Sequence, residues 1–130
     1  MIVLTIRTDK PEAEIGLFVG KTKLAYEKWQ AHRQLSETIH TKIHEMLSSL
    51  EKDWNNLEAV AFFKGPGSFT GLRIGVTVAN TLASELDIPI VGTTGEDWIQ
   101  TGLTSLGQGK TDKLVEPDYG RDPHITIPKG

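Results

Sequence analysis

The segment FFKGPGSFTGLRIG, residues 62–75, constrains the fold more than any other stretch. Before it, Leu57-Glu58-Ala59-Val60-Ala61-Phe62-Phe63 has the composition of a short buried strand that ends at the glycines. After it, Thr70 to about Leu86 reads as a helix, and Ile88-Pro89-Ile90-Val91-Gly92 as a last strand. Strand, helix and strand at this spacing form a βαβ unit, which favours a parallel pair joined by a right-handed crossover.

The preceding residues supply the rest of a sheet. Ile2 to Ile6, the run AEIGLFVG and the run TKLAYEKWQ are strand candidates, with Gly20-Lys21 as the turn between the second and third. From about Arg33 the period changes. Leu35, Ile39, Ile43, Met46, Leu47 and Leu50 recur at steps of three and four and form one helical stripe facing mainly the core. The expected order is therefore β-β-β-α-β-α-β: an α/β fold with a mixed five-stranded sheet and helices packed on it. WIQTGLTSL can add a short helix, LGQGKTDK reads as a polar linker, and EPDYGRDPHITIPKG as a tail laid along the domain or partly disordered.

The glycine turn has two readings. As an anion or nucleotide cradle, Gly65, Gly67, Ser68 and Thr70 would present backbone N–H groups at a helix start that carries about half a positive charge. As a joint, Gly65 and Gly67 would supply unusual backbone angles while Ser68 or Thr70 caps the helix. The spacing G-x-G-x-x-x-G misses the dinucleotide fingerprint by one residue, and no Lys-Ser or Lys-Thr follows it. Gly109-Lys110-Thr111 imitates the end of a phosphate-binding loop, but Thr104 stands where the first glycine belongs.

On the second helix Gly71, Gly75, Ala79 and Ala83 form a small-residue stripe that another backbone could approach, and Leu72, Ile74, Val76 and Val78 leave its first turns almost without a polar face. Such a helix needs cover on two sides: the sheet on one, and the first helix or another protein chain on the other.

With 130 residues, 38% of them apolar, one domain is expected; the apolar runs are too short to span a membrane, and the start MIVLTIRTDK argues against secretion. The absence of cysteine excludes disulfides and thiolate chemistry and fits a cytoplasmic address. A formal charge of −3 gives no broad basic footprint for nucleic acid. His40 and His44 share a helix face, but Thr41-Lys42-Ile43 between them lacks the glutamate of a zinc protease motif. Asp9, Glu12 and Glu14 read as a solvated charged loop rather than a magnesium site, and no nucleophile, base and acid set stands out. No catalytic residue and no metal site is assigned.

GPGSFTGLRIG, followed by Ala79, Leu82-Ala83 and Ile88 to Gly92, resembles the bacterial TsaB family, also called YeaZ. Leu35-Ser36-Glu37 is similar to the start of that family's first helix, and Pro117-x-Tyr119-x-Arg121 to its C-terminal tail. The resemblance implies a ribonuclease H-like lobe of the actin-like ATPase (ASKHA) class. It also implies a non-catalytic subunit in tRNA threonylcarbamoyladenosine synthesis, partnered by the catalytic subunit TsaD and the ATPase TsaE, with tRNA met only indirectly. Pairing in the family runs through the two helices, as homodimer or with TsaD, which points to Ser36, His40, His44, Gly71, Arg73, Ile74, Gly75, Val78 and Ala79 as the partner surface. No cofactor is required, with ATP or ADP possible at a partner interface. Two departures stand out. Ile6-Arg7-Thr8-Asp9 replaces the family's Ile-Asp-Thr-Ser, so an arginine that could meet an anion stands where active relatives use an acid. Only about twenty residues, 95–114, replace a further lobe, so residues 1–104 are expected to form a single lobe and 105–130 a linker and tail, the second lobe being absent. The alternatives are a nucleotide-binding enzyme using Gly65 to Gly71, or a homodimer with a different partner.

Overall fold

The computed structural model describes residues 1–119. Its elements are β1 (Ile2–Arg7), β2 (Glu12–Val19), β3 (Thr22–Gln30), α1 (Leu35–Ser49), β4 (Ala59–Phe63), α2 (Phe69–Leu86), β5 (Ile90–Thr93) and α3 (Trp98–Gly107). The expected element order is observed, and the sheet runs β3-β2-β1-β4-β5. β2 is antiparallel to both of its neighbours, while β1, β4 and β5 are mutually parallel, as the βαβ reading requires. Two strands start later than their apolar runs. Pro89 cannot donate to a ladder, so β5 begins at Ile90, although the Pro89 carbonyl still accepts the Val60 N–H at 3.0 Å.

Strand alternation divides the apolar residues between two layers. One face, with Leu4, Ile6, Ile15, Leu17, Val60 and Phe62, packs against Leu35, Ile39, Ile43 and Leu47 of α1 and against Leu72, Val76, Ala79 and Leu82 of α2. The opposite face, with Val3, Ala59, Ala61 and Val91, is covered by Leu103 and Leu106 of α3. Gly102 allows that helix to come close, since a Cβ there would stand 3.0 Å from the Ala61 Cβ. Toward β2 and β3 the second face turns polar. Gly16 leaves room for the Tyr26 ring to lie across the sheet, and the Tyr26 hydroxyl donates to Glu14 at 2.6 Å.

The linker expected from residue 105 is not where the lobe ends. α3 continues to Gly107, and residues 111–119 pack back on the sheet, with Val115 buried among the α1–α2 core residues. The tail lies along the domain as far as Tyr119. Arg121 and the rest of the tail lie outside the described residues. Among the described residues no helix is long and apolar enough to cross a membrane.

Candidate docking groove and glycine turn

The glycine turn is packed from both sides. Gly65 has φ of +116°, outside the range open to most side chains, and a Cβ there would collide with the Asp118 carbonyl. Gly67 needs no unusual angle. Its Cβ would collide with that of Asp9, so it is small because the segment that follows β1 lies against it. The Ser68 N–H donates to the Asp9 carbonyl at 3.0 Å, and the Ser68 hydroxyl caps α2 by accepting the Gly71 N–H at 3.4 Å. Thr70 caps nothing and is exposed. Two of the turn's N–H groups, those of Ser68 and Gly71, are thus bonded inside the protein, and the close packing at Gly65 and Gly67 gives the turn the geometry of a joint.

Arg7 is committed in the same way. Its Nε and Nη2 donate to the two Asp9 carboxylate oxygens at 2.7 and 3.2 Å, and its guanidinium lies 3.9 Å from the centre of the Phe63 ring. The hydrogen bond to Asp9 raises the guanidinium pKa above its ordinary value. The expected anion contact is thus replaced by an internal ion pair. Asp9 and Glu14, expected in a solvated loop, are instead buried, the first on Arg7 and the second on Tyr26. Burial, and then the bond to Glu14, hold the Tyr26 phenol well above its ordinary pKa.

The small-residue stripe of α2 also requires a correction. Gly71, Gly75 and Ala79, expected to meet a partner, turn toward the chain's own sheet. A Cβ on Gly71 would collide with the Thr8 carbonyl, one on Gly75 with the Thr8 hydroxyl, and Ala79 is fully buried. Thr8, which sequence reasoning missed, locks strand to helix by donating its hydroxyl to the Gly71 carbonyl at 2.8 Å. A spacing of four residues marks a face that something approaches closely, and here that something is β1.

What remains accessible is a groove of about 380 Å³ between α1 and α2. Ser36, His40, Arg73, Ile74 and Val78, named above as partner-surface candidates, line it together with Thr70, Phe69 and Thr77. Phe69 is 55% exposed, a large apolar ring in the first turn of a helix, and Arg73 stands 5.3 Å from its centre. His44 lies outside the groove walls. Its ring stacks with Trp54 at 6.4 Å, and His40 approaches the same indole at 6.3 Å. Among the described residues no group of three metal-ligating side chains occurs.

A five-stranded mixed sheet with two helices on one face and one on the other defines one lobe of the ribonuclease H-like and actin-like ATPase (ASKHA) class. The structure of YeaZ from Pseudomonas aeruginosa superposes with a TM-score of 0.68 at 23% identity, covering 83% of this chain and 50% of that one. RuvC from T. thermophilus superposes at 0.54 with 15% identity over 92% of this chain and 85% of that one. A protein-family model described as "TsaD: tRNA N6-adenosine threonylcarbamoyltransferase" matches residues 29–127. The tRNA threonylcarbamoyladenosine biosynthesis protein TsaB of Bacillus subtilis is 37% identical over 90 residues, 69% of this chain, and that of Escherichia coli 33% identical over 97 residues, 71% of this chain. The chain belongs to this family, in its TsaB (YeaZ) branch. It spans 39% of the length of each of those two relatives.

Proposed function

We propose that this chain is an accessory, non-catalytic component of tRNA threonylcarbamoyladenosine synthesis that docks onto a TsaD-like catalytic subunit through the α1–α2 groove. The observation that carries the reading is the groove itself. It sets Phe69, Arg73 and Ile74 between two helices whose main apolar faces are buried in the chain's own core. An exposed aromatic ring beside an arginine is the side-chain chemistry of an interface anchor. The pairing of Arg7 with Asp9 supports the non-catalytic part, since it commits the strand-one position to an internal bond. On this reading the protein works in the cytoplasm without a cofactor of its own. ATP or ADP would be held between subunits, a TsaE-like ATPase would join the pair, and tRNA would be met through the partner. Without a partner, two copies would meet through the same face.

The test is a calorimetric titration of the chain with its cognate TsaD-like subunit. Arg73→Glu and Thr77→Arg, both on exposed positions of α2, are expected to weaken binding about tenfold or more while leaving the circular dichroism spectrum unchanged. Wild-type affinity in both variants would overturn the assignment of this face.

A further inference from the structure

Residues 111–119 run beside β5 and past the end of β4 as a strap that brings Tyr119 to the mouth of the groove. At one end the Asp112 N–H donates to the Ile90 carbonyl and the Gly92 N–H to the Asp112 carboxylate, each at 2.7 Å. In the middle Asn80 of α2 grips Val115 in both directions, its Nδ2 donating to the Val115 carbonyl at 3.0 Å and its Oδ1 accepting the Val115 N–H at 2.9 Å. Beyond that, the Asp118 N–H donates to the Lys64 carbonyl at 2.6 Å, and the Tyr119 ring lies 4.6 Å from that of Phe69. Val115 is the strap's one buried side chain, so polar ties hold most of its length and it can open without unfolding the core.

Phe69 is the most exposed aromatic residue of the groove, and a ring that can turn freely loses entropy when a partner closes on it. Tyr119 on the strap and Arg73 on the next turn of α2 both touch it. Among the described residues the groove walls contain no carboxylate. The recess beside it, sharing Thr70 and Ile74, adds Lys10, His32 and Arg33. Lys10, Arg33 and Arg73 take part in none of the ion pairs found among the described residues. Arg73 is thus a groove-lining cation outside those ion pairs, in a chain of formal charge −3.

We infer that the strap completes the docking surface: Tyr119 holds Phe69 as a preorganised anchor, and the surface fits a partner helix with an apolar face and a carboxylate placed for Arg73. The inference rests on the docking reading above and names the positioning residues, Asn80 and Tyr119, that lie outside the two-helix face.

The experiment compares the whole chain with Asn80→Ala and Tyr119→Ala by titration against the TsaD-like subunit and by amide hydrogen exchange. Asn80→Ala is expected to speed exchange at Val115 and Asp118 about tenfold and to weaken binding about fivefold. Tyr119→Ala should leave those amides protected and weaken binding about tenfold. Because Tyr119 is partly exposed, that variant decides the matter if Asn80→Ala does not fold. Wild-type affinity in Tyr119→Ala, while Arg73→Glu loses binding, overturns the strap and spares the docking reading. A wild-type chain that binds no such subunit overturns that reading and the strap's docking role with it.

Discussion

A side chain on Gly75 would have to occupy the place of the Thr8 hydroxyl and would stand 2.9 Å from the Phe62 ring, both of which are fully buried. Gly75→Leu is therefore expected to destabilise the lobe by about 2–3 kcal/mol, as overpacking of a closed core does, read as a lowered urea midpoint. A variant as stable as wild type would show that the helix can move away from β1. Tyr26 gives a second residue-scale prediction. Its raised pKa means that the folded state keeps the phenol neutral while the unfolded chain ionises at the ordinary value. The stability so contributed is complete below about pH 10 and is lost as the pH rises through that ordinary value toward the raised one. Tyr26→Phe removes the donor to buried Glu14 and should cost about 1–3 kcal/mol at pH 7. It should also flatten the alkaline decline in thermal midpoint, and an equally steep decline in the variant would count against this origin. Residue identity alone left Gly75 ambiguous, because the same spacing serves a helix against its own strand or against a foreign one. It was misleading for Asp9 and Glu14, whose burial depends on Arg7 and Tyr26 reaching them from other positions in the sheet.

At the scale of elements, α2 ends where Asp87 takes a left-handed conformation at φ of 56°, and the Ile88 N–H then donates to the Ala83 carbonyl at 2.9 Å. Asp87→Val, which places a β-branched residue in that conformation, should cost about 1–2 kcal/mol, whereas Asp87→Gly should keep or slightly raise stability. Equal stability in chemical denaturation would contradict the assignment of Asp87 as the stop. The strands and helices themselves were legible because their apolar periods, two and about 3.6, agree with their burial: Ile39 and Ile43 face the core, as their spacing requires. A tail laid along the domain was legible from residue 116 onward, but the ties that hold the strap were not. Its ties run largely through backbone atoms and through Asn80, a polar residue whose distant partner leaves no mark on local pattern. Phe69 escaped notice for the converse reason, since an aromatic residue inside a glycine-rich apolar segment reads as core, and here it is 55% exposed.

For the molecule as a whole, the glycine turn and the exposed groove are separate places. The turn joins β4 to α2 and receives the end of the strap, while the surface left for a partner lies one turn further along, between α1 and α2. The family relationship and the fold agree on a TsaB-type lobe, and the proposed function has that lobe dock through the groove. Size-exclusion chromatography with light scattering, on the chain alone and mixed with its cognate TsaD-like subunit, with and without ATP, tests this docking most directly. A one-to-one complex that Arg73→Glu disperses is the expected result; a chain that keeps its own mass, or remains a homodimer, in the presence of that subunit would overturn the docking.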